Sequence, residues 1–171
     1  MRRYFEDGAV YFVTAVTRDR RPLFNDRRLC RILLVTFEYY RMIFDYSVFG
    51  YCVMPDHIHL ILRPSHKFNI SMIMKMVKGS FTRKVNKLRT QDGSMWQPRY
   101  YDEIIRSEKQ LLTQLDYMHQ NPVAAGLVPS ADKYLYSSFS QYENVLNPEG
   151  LILEIERSLG DSPRCRLRSA D

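Results

Sequence analysis

At 171 residues, with 45% hydrophobic, 26% charged and 13% aromatic side chains, the chain can bury one core and lacks the composition of a disordered protein. Its 25 Lys plus Arg against 19 Asp plus Glu leave a net charge of +6. No apolar run reaches the roughly 18 residues that span a bilayer, and Met1–Asp7 meets acidic residues with no apolar signal core behind it. Cysteines at 30, 52 and 165 form no CxxC pair, which excludes a disulfide framework and zinc-finger spacing and points to a reducing, cytoplasmic setting.

In chain order, Val10–Val16 is a β-branched and aromatic run that reads as a strand. Asn25 or Asp26 then caps a helix that places Leu29, Ile32, Leu33, Phe37 and Tyr40 on one face. Tyr46–Val53 and His57–Leu62 read as two strands joined through Met54-Pro55-Asp56. Ile70, Ile73, Met74, Val77, Phe81, Val85 and Leu88 recur at helical spacing, with only Lys84 intruding on their stripe. A polar loop at Thr90–Ser94 precedes a further strand at Tyr100–Ile105. Ser107 and Gln110 form a capping box that opens a helix through Leu111, Leu112, Leu115 and Met118, and Asn121-Pro122 is expected to close it.

The turn between the central strands is too short for a parallel crossover. The expected class is therefore α+β: an antiparallel sheet with helices packed on it, a ferredoxin-like or RRM-like βαββαβ variant. One domain is expected over residues 1–147, followed by a C-terminal tail over 148–171 that carries Arg164, Arg166 and Arg168.

The charge excess is concentrated. Lys67, Lys75, Lys78, Arg83, Lys84, Lys87 and Arg89 fall in a stretch with no acid, and most lie opposite the apolar stripe of their helix. Lys75, Lys78, Arg83 and Lys87 are candidates for phosphate contacts that set register without reading sequence. Arg2, Arg3, Arg18, Arg20 and Arg21 make a second basic edge, and Trp96 and Tyr100 are candidates to stack on unpaired bases.

Two histidines are candidates to carry chemistry. His57 and His59 alternate with Ile58 on a strand, so both imidazoles face one side and suit one divalent ion. On the following helix, Tyr117, Gln110, Gln114 and Asn121 fall opposite the apolar stripe, while His119 falls with it. Tyr117 and Asn121, four apart, are surface neighbours; the amide oxygen is a fair ligand for a hard cation and the phenol a nucleophile once a base or cation assists it.

Tyr51-Cys52-Val53-Met54-Pro55-Asp56-His57-Ile58-His59-Leu60-Ile61-Leu62 contains an HUH motif, two histidines around a bulky hydrophobic residue. With Trp96–Asp102, Tyr117–Val128 and Tyr136-Ser137-Ser138 following in order, the chain resembles the single-tyrosine HUH transposases of the IS200/IS605 type. The resemblance is closest to their REP-associated tyrosine transposase branch and covers about residues 5 to 142.

It implies an enzyme that cuts single-stranded DNA beside an imperfect hairpin (a REP or other palindromic element). Tyr117 would form a 5′-phosphotyrosine bond, and His57, His59 and Asn121 would hold one Mg²⁺ or Mn²⁺. Asn121 stands where the insertion-sequence enzymes carry a glutamine. Either a monomer or a homodimer is compatible with the resemblance. Two other readings stay open on the residues: a non-catalytic single-stranded nucleic-acid-binding module on an RRM-like sheet, and a small zinc site built from Cys52, His57 and His59.

Overall fold

The computed structural model describes residues 6–142; Arg2, Arg3, the end of the expected domain and the tail over 148–171 with Cys165 lie outside the described residues. The elements run β1 (Val10–Val16), α1 (Arg27–Phe44), β2 (Ser47–Met54), β3 (His57–Arg63), α2 (Ile70–Arg89), β4 (Tyr101–Ile105), α3 (Glu108–Ala124) and α4 (Phe139–Tyr142). The sheet order is β2-β3-β1-β4 and every neighbouring pair is antiparallel. Two βαβ units interleave, α1 carrying the chain past β3 and α2 carrying it past β1, which is the ferredoxin-like arrangement expected from the sequence.

Period-two alternation divides the sheet between two cores. Tyr11, Val13 and Ala15 of β1, Tyr51 and Val53 of β2, and Ile58, Leu60 and Leu62 of β3 pack under α1 and α2. Val10, Phe12, Cys52, Met54 and Ile61 face the other way and meet Leu111, Leu115 and Met118 of α3. Burying each large aliphatic or aromatic side chain is worth about 1.5–3 kcal/mol, so the larger core over α1 and α2 holds most of the stability. Leu112 and Leu88, read as apolar-stripe residues, are exposed instead. Leu88 lies in the last turn of α2 beyond Val85, its last buried residue, and Leu112 lies beside Leu111, which takes the inward position on α3.

The caps explain where the helices begin. The Asp26 carboxylate accepts from the Arg28 backbone N–H and opens α1; the Arg28 side-chain hydrogen bond holds its pKa at about 2. Asn69 accepts from Met72 N and opens α2. The Ser107 hydroxyl accepts from Gln110 N as expected, but the Gln110 side chain returns to Arg106 N rather than to Ser107, one residue beyond the standard box.

Pro122 does not end α3. Inside the last turn it removes only one backbone donor, and the helix runs on to Ala124. It closes on a Schellman arrangement: Gly126, at φ +68°, donates to the Val123 carbonyl, and Leu127 donates to the Pro122 carbonyl.

Both edges of the sheet are managed. Beyond β2, Val53 N donates to the Tyr136 carbonyl and Ser138 N to the Tyr51 carbonyl, while the Tyr134 hydroxyl donates to the Val53 carbonyl. The edge strand β4 is short and carries Asp102 and Glu103.

Candidate active site

At one end of the sheet, beneath α3, Phe12, Thr14, Val16, Arg20, His57, His59, Tyr101, Tyr117 and Asn121 line a cleft of about 420 Å³. The strand period aims both imidazoles into it, with Nε2 of His57 3.1 Å from Nε2 of His59. From α3, the Asn121 amide head lies 3.0 Å from His59 Nε2. One turn earlier, the Tyr117 ring stands edge-on to His59 with ring centres 5.6 Å apart, and edge-on to Phe12 at 6.3 Å. Tyr117 is 55% exposed, so one side of the phenol is held by aromatic edges and the rest is open to a substrate. All four expected residues therefore meet within a single chain, 60 or so positions apart in sequence.

Partners outside the cleft orient the histidines. His57 Nδ1 lies 2.6 Å from Asp56 Oδ1, and Asp56 Oδ2 accepts from Arg20 Nη1 at 2.9 Å. His59 Nδ1 is 2.9 Å from the Thr14 hydroxyl, its neighbour across the β1–β3 ladder. The Phe12 ring stacks on His59 at 5.4 Å. Burial, followed by the nearby His57, pushes the His59 pKa down to about 3, so this ring is neutral at pH 7 with a lone pair to offer. Burial pulls the Asp56 carboxyl upward, but the hydrogen bonds and charges of His57 and Arg20 outweigh it and hold the group below its ordinary value.

These residues fit a divalent ion. With each Nδ1–H donated outward, to Asp56 and to Thr14, both Nε2 lone pairs point into one small space, which is repulsive unless a cation or a proton lies between them. The Asn121 amide presents its oxygen to the same space once turned about its last torsion. Among the described residues no three His, Cys, Asp or Glu side chains gather as a metal group, so an amide is the third donor at hand. Cys52 faces the same side of the sheet but is fully buried in the core under α3, and among the described residues it gathers with no group of His, Cys, Asp or Glu side chains that could hold zinc.

The basic residues of α2 are elsewhere, since α2 packs on the opposite face of the sheet. Lys75, Lys78 and Arg83 line a groove between α2 and residues 94–100, whereas Lys87 does not; Lys78 Nζ donates to the Gln97 carbonyl across it. Trp96 is a core residue, packed at a tilt against Phe24 and Phe81 beneath the groove, and is not displayed for stacking on a base.

Sequence reasoning passed over Thr14, Asp56 and Tyr101 as site residues, and read Arg20 only as part of a basic edge, whereas it pairs with Asp56 at the cleft. Asp56 had a usable signal, an acid directly before the first histidine in a tight turn. Thr14 is found only through the β1–β3 register.

A sequence profile for the family described as "Transposase IS200 like" matches residues 7–121. A Haemophilus influenzae protein provisionally named a REP-associated tyrosine transposase is 31% identical, over 81% of this chain and 84% of the relative. The REP-associated tyrosine transposase of Escherichia coli K12 is 27% identical over 81% of each. A solved structure of a REP-associated tyrosine transposase bound to a REP hairpin superposes with a TM-score of 0.72 at 24% identity, covering 92% of both chains, and shares the fold.

Proposed function

This chain belongs to the IS200-like transposase family and is a transposase enzyme, and from that premise we propose that it cuts and rejoins single-stranded DNA beside a palindromic hairpin, with Tyr117 as nucleophile and His57, His59 and Asn121 as metal ligands. The observation that carries this reading is the meeting of an open phenol, two facing imidazoles and an amide in one cleft.

In the forward step the Tyr117 phenol gives up its proton and its oxygen forms a bond to phosphorus while the bond from phosphorus to the 3′ oxygen breaks. The departing oxygen keeps the electron pair, takes up a proton and becomes a free 3′-OH, and the 5′ side stays on the enzyme as a phosphotyrosine. Attack by a 3′-OH reverses the step, restoring the phenol and joining strands with no outside energy source. His57, His59 and Asn121 would hold a divalent ion, which when bound would polarise a phosphate oxygen; two imidazoles and one amide oxygen suit Mn²⁺ and admit Mg²⁺. His57 and His59 fix the place of the reacting phosphate, Asn121 ties that place to α3, and α3 delivers the phenol.

Lys75, Lys78, Arg83 and Lys87 hold phosphates of the bound DNA away from the cleft. The relatives' names and the hairpin complex of the fold neighbour support a repetitive palindromic hairpin as the partner. A purely binding module on an open RRM-like sheet is disfavoured, because α3 covers the sheet face that such modules leave free. Among the described residues no helix is long and apolar enough to cross a membrane.

The test is incubation of the protein with flanked single-stranded hairpins and Mn²⁺ or Mg²⁺. A denaturation-resistant protein–DNA adduct is expected from the wild type. Tyr117→Phe is expected to form none while binding the hairpin within about twofold of wild type, since the lost hydroxyl is exposed and unpaired with the fold. Adduct formation by the Phe variant would transfer the nucleophile to another residue.

A further inference from the structure

The link between β1 and α1 runs along the rim of the catalytic cleft in a strained backbone. Asp19 and Arg20 follow one another at φ 56° and φ 51°, both left-handed and neither a glycine. Such a pair persists only where its surroundings over-determine it, and strain of this kind gathers at functional sites. Here the surroundings do so. Thr17 N donates to the Asp56 carbonyl, Arg18 N to the Met95 carbonyl, and Arg21 Nη2 to the Ser94 carbonyl. Within the link, Arg20 N donates to the Thr17 carbonyl and Arg21 N to the Arg18 carbonyl.

What the link presents to the cleft is a single cation. Among the described residues that line the cleft, Arg20 is the only Lys or Arg, and none is Asp or Glu. Its Nη1 donates to Asp56 Oδ2 at 2.9 Å, and among the described residues its side chain makes no other hydrogen bond. Most N–H donors of the guanidinium fork are therefore free, on a side chain that is 67% exposed. The strands fix where this cation stands. Along β1 the order is Phe12, Thr14 opposite His59, and Val16 opposite His57. Tyr117 stands over Phe12 and His59, whereas Arg20 meets Asp56 past Val16 and His57. Phenol and guanidinium thus occupy opposite ends of the cleft, with the imidazole pair between them.

This arrangement matters for an in-line displacement, in which the attacking and leaving oxygens lie on opposite sides of phosphorus. With the phosphate over the imidazole pair and the phenol at one end, the 3′ oxygen departs toward Arg20. That oxygen carries the more demanding charge. A phenol titrates near 10, while the 3′ hydroxyl is an alcohol, closer to water at about 15.7. A guanidinium stays protonated at any working pH, so it donates hydrogen bonds to the developing charge and gives up no proton. The proton that the 3′ oxygen takes up comes from solvent, as the phenol proton goes to it. We infer that Arg20 is a catalytic residue, donating hydrogen bonds to the departing 3′ oxygen in cleavage and to the attacking 3′ oxygen in joining. This rests on the strand-cleavage reading of the cleft and assigns its leaving-group end.

The experiment measures single-turnover adduct formation in Mn²⁺ by the wild type, Arg20→Gln and Arg20→Lys. Each acts on a flanked single-stranded hairpin with the ordinary 3′ oxygen at the scissile bond, and on the same hairpin with sulfur in its place. On the oxygen substrate Arg20→Gln is expected to be slower by about 100-fold. On the sulfur substrate it is expected within about threefold of wild type, because a thiolate of low pKa leaves without assistance. Arg20→Lys, which keeps the charge and loses the fork, falls between on oxygen. The side chain is exposed and its ion pair adds little stability, so both variants are expected to fold, and circular dichroism checks that. Mn²⁺ affinity without DNA, read by electron paramagnetic resonance, separates direct action from an effect passed through Asp56. It is expected to change by no more than about threefold in Arg20→Gln, since Asp56 keeps its own contact with His57. Equal slowing on oxygen and sulfur, an unchanged rate on oxygen, or a loss of Mn²⁺ affinity matching the loss of rate would each overturn the inference. A wild type that forms no adduct would overturn the cleavage reading and the inference together, whereas an active wild type with an indifferent Arg20 refutes only the role given to Arg20.

Discussion

Asp56 has every acceptor committed. Its carbonyl accepts from Thr17 N at 2.8 Å and from the Thr17 hydroxyl at 2.9 Å, Oδ1 faces His57 Nδ1, and Oδ2 accepts from Arg20. Arg20 in turn is held at φ 51°, next to Asp19 at φ 56°, a left-handed pair of non-glycine residues at the rim of the cleft. The Arg20–Asp56 ion pair is largely solvent-facing on the arginine side and is worth little as stability. What it does is aim a carboxylate at one ring nitrogen, which leaves the other nitrogen unprotonated and directed into the cleft. Removing that carboxylate should cost metal affinity rather than fold. Asp56→Ala is expected to weaken Mn²⁺ binding, read by calorimetry or electron paramagnetic resonance, by about 10–100-fold. Asp56→Asn, which keeps an acceptor for Nδ1–H without the charge, should fall between. Unchanged affinity in Asp56→Ala would mean that the strand alone orients His57.

Helix α3 has to lie close on β2 for Tyr117 and Asn121 to meet the histidines, and Gly50 permits that approach. A Cβ at this position would stand 2.5 Å from Leu115 Cδ2 and 2.6 Å from Met118 Cε. Both are ends of flexible side chains, so the helix should yield rather than detach. Gly50→Ala is expected to cost about 1 kcal/mol and Gly50→Val up to about 3 kcal/mol in urea unfolding. The adduct rate should fall more steeply than stability, because Met118 adjoins the nucleophile; a destabilised variant with an unchanged rate would refute the coupling. This scale also separates what the sequence discloses from what it does not. His57 and His59 were legible because a period of two needs no tertiary information, and the strands and caps were legible for similar local reasons. The stop expected at Pro122 failed because a proline in the last turn costs a single donor while Gly126, four residues on, carries the actual termination signal. The basic stripe of α2 was visible, but the groove was not, since its second wall is irregular chain with no periodicity to read. The Asn121–His59 contact joins elements 62 positions apart and follows from topology alone.

Across the whole molecule, the side of the sheet under α3 holds two histidines kept neutral by burial, and this sets how the fold responds to acid. His59 is pushed down to about 3; His119, buried with Nε2 2.9 Å from the Ser138 hydroxyl and edge-on to Phe139, is pushed down to about 4 by burial, partly offset by Asp116. An unfolded histidine titrates near 6.5. Below that pH the unfolded chain takes up protons that the folded chain refuses, so the stability contributed by both groups is present above about pH 6.5 and is lost as the pH falls toward their folded values. Between pH 8 and pH 5 each histidine should remove about 2 kcal/mol from the unfolding free energy of the metal-free protein. Asp26, held at about 2, begins to lose its contribution only as the pH falls through the ordinary carboxylate range near 4, which leaves this window nearly clear. In His119→Gln, which can still hydrogen-bond Ser138 but cannot titrate, the drop between pH 8 and pH 5 in urea-monitored stability should shrink by about 2 kcal/mol, whatever the variant's stability at pH 8. An undiminished drop would show that His119 is reached by protons without unfolding, and that the layer formed by α3 and residues 134–142 opens while the rest of the sheet stays folded.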